Sequence, residues 1–167
     1  MKFDLIKGRL GTHRFHSMLV HFPSGLYPFS LVMDVLAIAT ASPDYSIAGK
    51  YALIGACATS ALAIIYGAID FLQIPSNDPA WRKAGIHALL NITWFIIFSS
   101  LLFYRLKHGD EITSWTYLGF MSVSTAGLFF SNFLGADLII SHHVGIASEG
   151  IIKRDKDKTN LPGKNRQ

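Results

Sequence analysis

Four long apolar blocks alternate with short polar connectors along the 167-residue chain. The blocks cover approximately residues 17–40, 51–74, 87–104 and 115–140. A helix needs roughly 20 mainly apolar residues to cross the hydrocarbon layer of a bilayer. The pattern therefore predicts an all-α protein, a transmembrane bundle of four helices. In the first block, Pro23 and Pro28 predict a straight helix from about Pro23, preceded by an irregular segment at Met18 to His21.

Short connectors join the blocks, with the sequences SPDYS, PSNDPAWRKAG and KHGDEITS. Connectors of this length make neighbouring helices antiparallel, so we expect an up-down-up-down bundle. Residues 1–147 form the predicted membrane domain. Residues 148–167 are rich in charge and poor in apolar groups, which predicts a disordered tail. No internal repeat is evident in the sequence.

The basic residues predict the orientation of the bundle. Twelve of the 15 Lys and Arg residues fall in the N-terminal segment, the middle connector and the tail. The other three are Lys50, Arg105 and Lys107. Because cytoplasmic loops carry the excess of Lys and Arg, we expect both termini in the cytoplasm. We interpret the net charge of +4 as a signal for topology and lipid headgroups, not as a nucleic-acid footprint.

Small residues follow helical spacing in the second and fourth blocks, which favours close approach of helix backbones in lipid. In the second block these are Ala56, Thr59, Ala63 and Gly67, followed by Asp70; in the fourth they are Gly127, Ser131 and Gly135, followed by His142. Each row of small residues thus leads to an ionisable side chain. A charge that faces lipid is costly, so we also expect Asp34 either to pair with a neighbouring helix or subunit or to be a neutral acid.

Six of the seven histidines fall where antiparallel threading places them at the cytoplasmic side, near Asp70 and Asp137. They are His13, His16, His21, His87, His142 and His143. The spacing groups His21 with Gly25, Pro28 and Val32 on one face of the first helix. It groups His87 with Asn91, Trp94, Phe98 and Leu101 on one face of the third helix. If both faces point inward, histidines from three helices converge.

Three interpretations of these histidines stay open. His21, His87 and His142 could hold a b-type haem inside the bundle. The same residues, with His16, His143 and Asp70, could hold a bare transition metal instead. Alternatively, histidines at a bilayer edge bond only to water, lipid or backbone, an interpretation that we favour for His13, His16 and His143.

Four segments, in order, resemble a bacterial family of predicted membrane proteins known as domain of unknown function 2231. They are FHSMLVHFPSGL, GAIDFLQIP, HALLN and GADLIISHHVGI, and the resemblance covers roughly residues 14–147. It implies recurrent histidines at His16, His21, His87 and His142 and an acid at Asp70. The family has His-Pro at His16-Ser17 and His-Gly at His142-His143, which leaves the choice between His142 and His143 open. Some members are joined to electron-transfer modules.

Together these features predict a protein of the bacterial inner membrane that binds haem or a metal and serves as an electron-transfer subunit. One alternative is a cofactor-free structural subunit of a larger membrane complex, and another is a small proton-coupled transporter. No nucleophile with a matching base is evident, so we do not expect an enzyme acting alone. The expected partners are the lipid bilayer and other membrane or electron-transfer subunits.

Overall fold

The structure is a computed structural model that describes residues 3–4, 9–10, 13–108 and 114–142, with side chains from 14 to 108 and from 114 to 141. This part of the chain is almost entirely helical, which confirms the all-α prediction. Its helices are α1 (Phe15–Leu19), α2 (His21–Thr40), α3 (Pro43–Phe71), α4 (Pro79–His108) and α5 (Trp115–His142). The sequence did not predict the small antiparallel sheet before them, formed by β1 (Phe3–Asp4), β2 (Arg9–Leu10) and β3 (His13–Arg14).

Among the described residues, four spans are long and apolar enough to cross a membrane: Phe15–Thr40, Pro43–Phe71, Pro79–His108 and Trp115–Ser141. The helices α3 and α4 begin eight residues earlier than predicted, at Pro43 and Pro79. Proline suits the first helical position because its missing N–H would have no partner there. At α4 the Asp78 carboxylate also accepts a hydrogen bond from Ala80 N at 2.8 Å, which caps the helix. The connectors are therefore shorter than the polar sequence predicted.

The first span is interrupted only at Val20, between α1 and α2. Pro23 and Pro28 lack the N–H that an interior helical position would donate. The irregular segment is shorter than the predicted Met18 to His21, because Met18 belongs to α1 and His21 begins α2. Pro28 lies inside α2, which continues to Thr40.

Adjacent helices run antiparallel, as residue contacts along them show. In the pair formed by α1–α2 and α3, His16 contacts Ala63 and Ser30 contacts Gly49. In the pair of α4 and α5, Lys83 contacts Asp137 and His87 contacts Ser131. We call the end of the bundle that holds His16 and His87 the inner end, because the basic residues predict that it faces the cytoplasm. The opposite end is the outer end.

The two helix pairs repeat each other, which the sequence did not reveal. Counterparts on the first and third spans lie 71 positions apart, and they meet between the pairs. His16 faces His87, Tyr27 stacks on Phe98 and Asp34 pairs with Arg105. Counterparts on α3 and α5 lie 68 positions apart, and in six such pairs both residues are buried. These pairs are Gly49 and Tyr117, Leu53 and Met121, Ala56 and Ser124, Cys57 and Thr125, Ser60 and Leu128, and Ala63 and Ser131. This pattern is that of two parallel repeats related by an approximate two-fold axis along the bundle.

Candidate functional site

His16 projects from α1 onto α3 at the inner end. Its Nδ1 atom lies 2.8 Å from the carbonyl oxygen of Ala63. The ring packs on Gly67, where an added Cβ would lie 3.0 Å from both Cε1 and Nδ1 of the imidazole. The small-residue row on α3 therefore makes room for a histidine from the neighbouring helix.

His87 makes the same arrangement in the second repeat. Its Nδ1 atom lies 3.0 Å from the carbonyl oxygen of Ser131 on α5. Its ring packs on Gly135, where an added Cβ would lie 2.7 Å from Cε1 and 3.2 Å from Nε2. In both repeats the accepting carbonyl belongs to the residue four positions before the glycine, so one local arrangement occurs twice.

The two imidazoles form a pair between the repeats. Their ring centroids are 6.5 Å apart and their planes are nearly perpendicular, at 80°. A carbonyl oxygen only accepts hydrogen bonds, so each ring donates from Nδ1, and a ring with no second proton has its lone pair on Nε2. Metal-ligating histidines are held in this way, with one nitrogen donating to a carbonyl or carboxylate and the other left for the ion.

Asn91 lies one helical turn after His87 and contacts both its backbone and its ring. Its Nδ2 atom lies 2.8 Å from the carbonyl oxygen of His87 and 2.8 Å from Ser131 Oγ. The contact from the same nitrogen to His87 Nε2 is longer, at 3.2 Å. An amide nitrogen has two hydrogens, and the two shorter contacts use both. His87 Nε2 therefore remains a candidate ligand atom.

Two further glycines receive a polar side chain from a neighbouring helix. We call these two, together with Gly67 and Gly135, the contact glycines. A Cβ added at Gly49 would lie 2.8 Å from Asp34 Oδ1, and one at Gly127 would lie 2.0 Å from Cζ2 of Trp94. The small residues thus do more than bring backbones together, because they position the polar side chains of the bundle interior.

A cavity of about 40 Å³ lies next to the histidine pair, between the two repeats. Its lining includes His16, Ser24, Ser60, Asn91, Trp94 and Asn132. Towards the outer end it reaches the ring stack of Tyr27 and Phe98, whose centroids are 3.7 Å apart. Most of the lining residues are counterparts in the two repeats, so we call this space the axial cavity. It is large enough for one to a few water-sized molecules.

A buried ion pair occupies the outer half of the bundle and confirms the expected partner for Asp34. The Arg105 guanidinium donates from Nη1 to Asp34 Oδ1, and its Nη2 lies 2.6 Å from Ser46 O and 2.8 Å from Ser46 Oγ. The two charged residues are 2% and 0% exposed. Arg105 also lies over the Tyr117 ring, with Cζ 5.6 Å from its centroid. This group joins all four spans.

At the inner end, one ion pair between described residues lies within each repeat. Arg14 Nη1 lies 2.8 Å from Asp70 Oδ1, and Lys83 Nζ lies 2.9 Å from Asp137 Oδ2. Arg14 lies just before α1 and pairs with the end of α3, and Lys83 on α4 pairs with α5. Asp70, which the sequence grouped with possible metal ligands, pairs with Arg14 through Oδ1.

The inward face of the first span differs from the prediction. The buried residues of α2 include Pro23, Tyr27, Ser30 and Asp34. By contrast, His21 and Val32 are exposed on the surface of the bundle. The reason is the pairing of Asp34 with Arg105, which fixes the rotation of α2. The face predicted for α4 is confirmed, because His87, Asn91, Trp94 and Phe98 all contact other helices. The side chains of His13 and His142, and all of His143 and of 148–167, lie outside the described residues.

The fit of the predicted cofactors follows from these positions. A pocket for a ligand of ordinary organic size measures roughly 300–1,000 Å³, so the axial cavity does not fit a porphyrin and we derive no step through haem. Within the described ranges, no group of three or more His, Cys, Asp or Glu side chains could hold a metal. His16 and His87 supply two imidazoles, a donor type that suits zinc, copper, iron or nickel.

Sequence reasoning identified His16 and His87 but not their relation as counterparts. The repeat could have been recognised from two short sequence motifs at the ends of the small-residue rows on α3 and α5. GAID ends α3 and GAD occurs near the end of α5, each beginning at a glycine that contacts a histidine. Aligning these motifs gives the 68-position spacing of α3 and α5.

The comparison with protein families agrees with this architecture. A family described as predicted membrane protein (DUF2231) matches residues 12–148, which include all four spans and both histidines of the pair. Neither a curated protein nor a solved structure matches the chain. The resemblance noted in the sequence is confirmed, and the chain belongs to the family of predicted membrane proteins designated domain of unknown function 2231.

Proposed function

We propose that this protein binds one transition-metal ion between His16 and His87, inside the membrane near its cytoplasmic face, and serves as an electron-transfer subunit. The observation that carries the proposal is the repeated anchoring of the two rings. Each Nδ1 atom contacts a backbone carbonyl, at 2.8 Å and 3.0 Å, and each ring rests on a glycine. Two rings so constrained keep their Nε2 lone pairs in fixed positions.

The surroundings of the pair favour a held ion over histidines that merely contact headgroups. Both residues are partly buried, and each Nδ1 atom contacts a backbone carbonyl of a neighbouring helix. Holding a histidine ring in one rotamer costs side-chain conformational entropy. Two rings that are held in the same way at one place therefore favour an ion bound between them. Copper or iron bound there would supply a one-electron redox couple, which suits the electron-transfer proposal.

We expect purified, untagged protein to contain copper, iron or zinc close to one ion per chain, measured by elemental analysis after extensive dialysis. His16→Ala and His87→Ala should each lower the bound metal at least tenfold, because each removes one of two strong ligands. His142→Ala, tested in parallel, shows whether this histidine adds a further ligand. Thermal unfolding of each variant checks that metal loss does not reflect global unfolding.

Two histidines on the described part of the chain serve as matched controls. His21 is exposed on α2 and His108 lies at the outer end of α4. His21→Ala and His108→Ala should keep the full metal content. Equal metal loss in His21→Ala and His87→Ala would contradict the proposed pair and favour the ligand set that the sequence predicted.

A metal-free protein whose histidine variants behave like the parent would also contradict the proposal. It would favour the cofactor-free structural subunit or the proton-coupled transporter. The transporter has one specific feature in its support, because the axial cavity, the Tyr27–Phe98 stack and the Asp34–Arg105 pair follow one another along the bundle. In all three cases the protein lies in a bilayer, and we place it in a bacterial inner membrane.

A further inference from the structure

Polar side chains from several helices line the axial cavity, which the proposed metal site does not use. Ser60 lies on α3, Asn91 on α4 and Asn132 on α5, and His16 adds an imidazole from α1. Hydroxyl and amide groups both donate and accept hydrogen bonds, so each keeps capacity beyond a single partner. A cavity with such a lining differs from an apolar cavity, which stays dry.

The two asparagines of the lining keep free acceptors. Asn91 Nδ2 lies 2.8 Å from Ser131 Oγ, and Asn132 Nδ2 lies 3.0 Å from Ser24 Oγ. These contacts use the amide nitrogens, and no described residue donates a hydrogen bond to Oδ1 of either asparagine. Neither Oδ1 atom is among the side-chain atoms of the described chain that are fully enclosed without a partner. Both acceptors therefore keep surface that a small donor can reach.

The axial cavity meets the two requirements for ordered internal water. One water molecule needs a cavity of at least about 10–15 Å³ and two to four polar partners. The volume is about 40 Å³, and Ser60, Asn91 and Asn132 supply the partners. Apolar neighbours such as Ala63 and Leu128 complete the wall and limit the number of water molecules. An ordinary organic ligand needs a pocket several times larger.

The Tyr27–Phe98 ring stack closes the cavity towards the outer end. The two ring centroids are 3.7 Å apart, and the residues are 1% and 0% exposed. Rings at this separation are in van der Waals contact, so no water fits between them. Beyond the stack, Leu53 is 0% exposed and belongs to the same core cluster. Water in the cavity is therefore confined to the inner side of the stack.

We infer that the axial cavity is an internal water site, where one or two ordered water molecules bind to the polar groups of Ser60, Asn91 and Asn132. The inference goes beyond the proposed function and requires no bound ion. Since His16 belongs to the same lining, the site brings exchangeable protons to this imidazole inside the bilayer. The ring stack of Tyr27 and Phe98 ends the hydrated region.

The test is solid-state NMR of the full-length protein in bilayers of deuterated lipid, with protons kept on the Leu and Ala methyl groups. Methyl protons do not exchange with solvent, so magnetisation that passes from water to a methyl group reports nearby water. Leu128 lines the cavity, and its methyl groups should gain water magnetisation at least about fivefold faster than those of Leu53, beyond the ring stack. Ala63, in the lining, and Ala56, which is 0% exposed and outside it, form a second matched pair.

Two substitutions at Ser60 separate cavity water from the exchangeable hydroxyl of the serine itself. Ser60→Ala removes the hydroxyl and keeps the space, so transfer to Leu128 should persist. Ser60→Val removes the hydroxyl and fills part of the cavity, so transfer should fall at least about fivefold as water is excluded. Ala58→Val, at an exposed position of α3, is the control and should leave the transfer unchanged.

The unmodified protein already decides the inference, whether or not every variant folds. Transfer to Leu128 no faster than to Leu53 would show a dry cavity and overturn it. Equal loss in Ser60→Ala and Ser60→Val would show that the serine hydroxyl relays the magnetisation, which also overturns it. Metal content is measured separately, so the proposed function and the water site can each fail without the other.

Discussion

Replacing Arg105 by Met is expected to cost about 3–5 kcal/mol of unfolding free energy, because it leaves the Asp34 carboxylate buried without its counterion. Asp34 is 0% exposed, and its Oδ2 atom already lacks a partner among the described residues. The loss of Arg105 would also remove the two hydrogen bonds to Ser46. Reversible unfolding in mixed micelles measures the change directly.

An ion pair at the bundle surface provides the control for this prediction. Lys83 and Asp137 lie 2.9 Å apart, with side chains 52% and 35% exposed. Lys83→Met should cost less than about 1 kcal/mol, the usual contribution of an exposed pair. Asp34→Asn combined with Arg105→Met should cost clearly less than the sum of the two single changes, since no uncompensated charge remains. A loss for Arg105→Met no larger than that for Lys83→Met would contradict the buried pair.

Gly135→Ala is expected to lower bound metal at least tenfold and to destabilise the protein by about 1–3 kcal/mol, the usual range for overpacking. The new Cβ would lie 2.7 Å from His87 Cε1, closer than a carbon contact allows. The His87 ring must therefore move, and its 3.0 Å contact with Ser131 O is lost. Elemental analysis and unfolding in micelles give the two effects on the same sample.

The chain offers controls of the same chemistry at glycines in open positions. A Cβ added at Gly119, on the same helix as Gly135, would meet nothing within 4 Å, and Gly25 on α2 is equally open. Gly119→Ala and Gly25→Ala should keep the metal, with stability unchanged or slightly raised by helix propensity. Gly67→Ala should reproduce the metal loss of Gly135→Ala through His16. Equal behaviour of open and contact glycines would contradict the role we assign to Gly67 and Gly135.

The apolar blocks predicted the four spans because length and hydropathy are local properties of the chain. The ends of α3 and α4 were harder to predict, since Pro43 and Pro79 start helices in polar sequence through the local chemistry of the first turn. The small-residue rows were correctly identified as packing surfaces. The sequence alone did not show which side chain packs on each glycine, because that side chain belongs to a neighbouring helix.

The candidate site was predicted only in part for a related reason. His21 and His16 are five positions apart, and spacing alone does not decide which of them faces the interior. The rotation of the first span depends on a contact across the bundle between Asp34 and Arg105, which are 71 positions apart in the sequence. The equivalence of the two repeats was likewise hidden, because counterparts such as Ser60 and Leu128 differ in polarity while sharing burial. Counterparts that share only their burial can be recognised only in the three-dimensional structure.

Counting the imidazoles on a bound ion tests the histidine pair most directly. Pulsed electron paramagnetic resonance of the copper(II)-loaded, untagged protein detects the remote nitrogen of each coordinated imidazole. We expect coupling from at least two imidazoles, and the number should fall by one in His16→Ala and by one in His87→Ala, with His21→Ala unchanged. A spectrum that stays the same in both His16→Ala and His87→Ala would show that the ion, if any is held, is not bound between the two repeats.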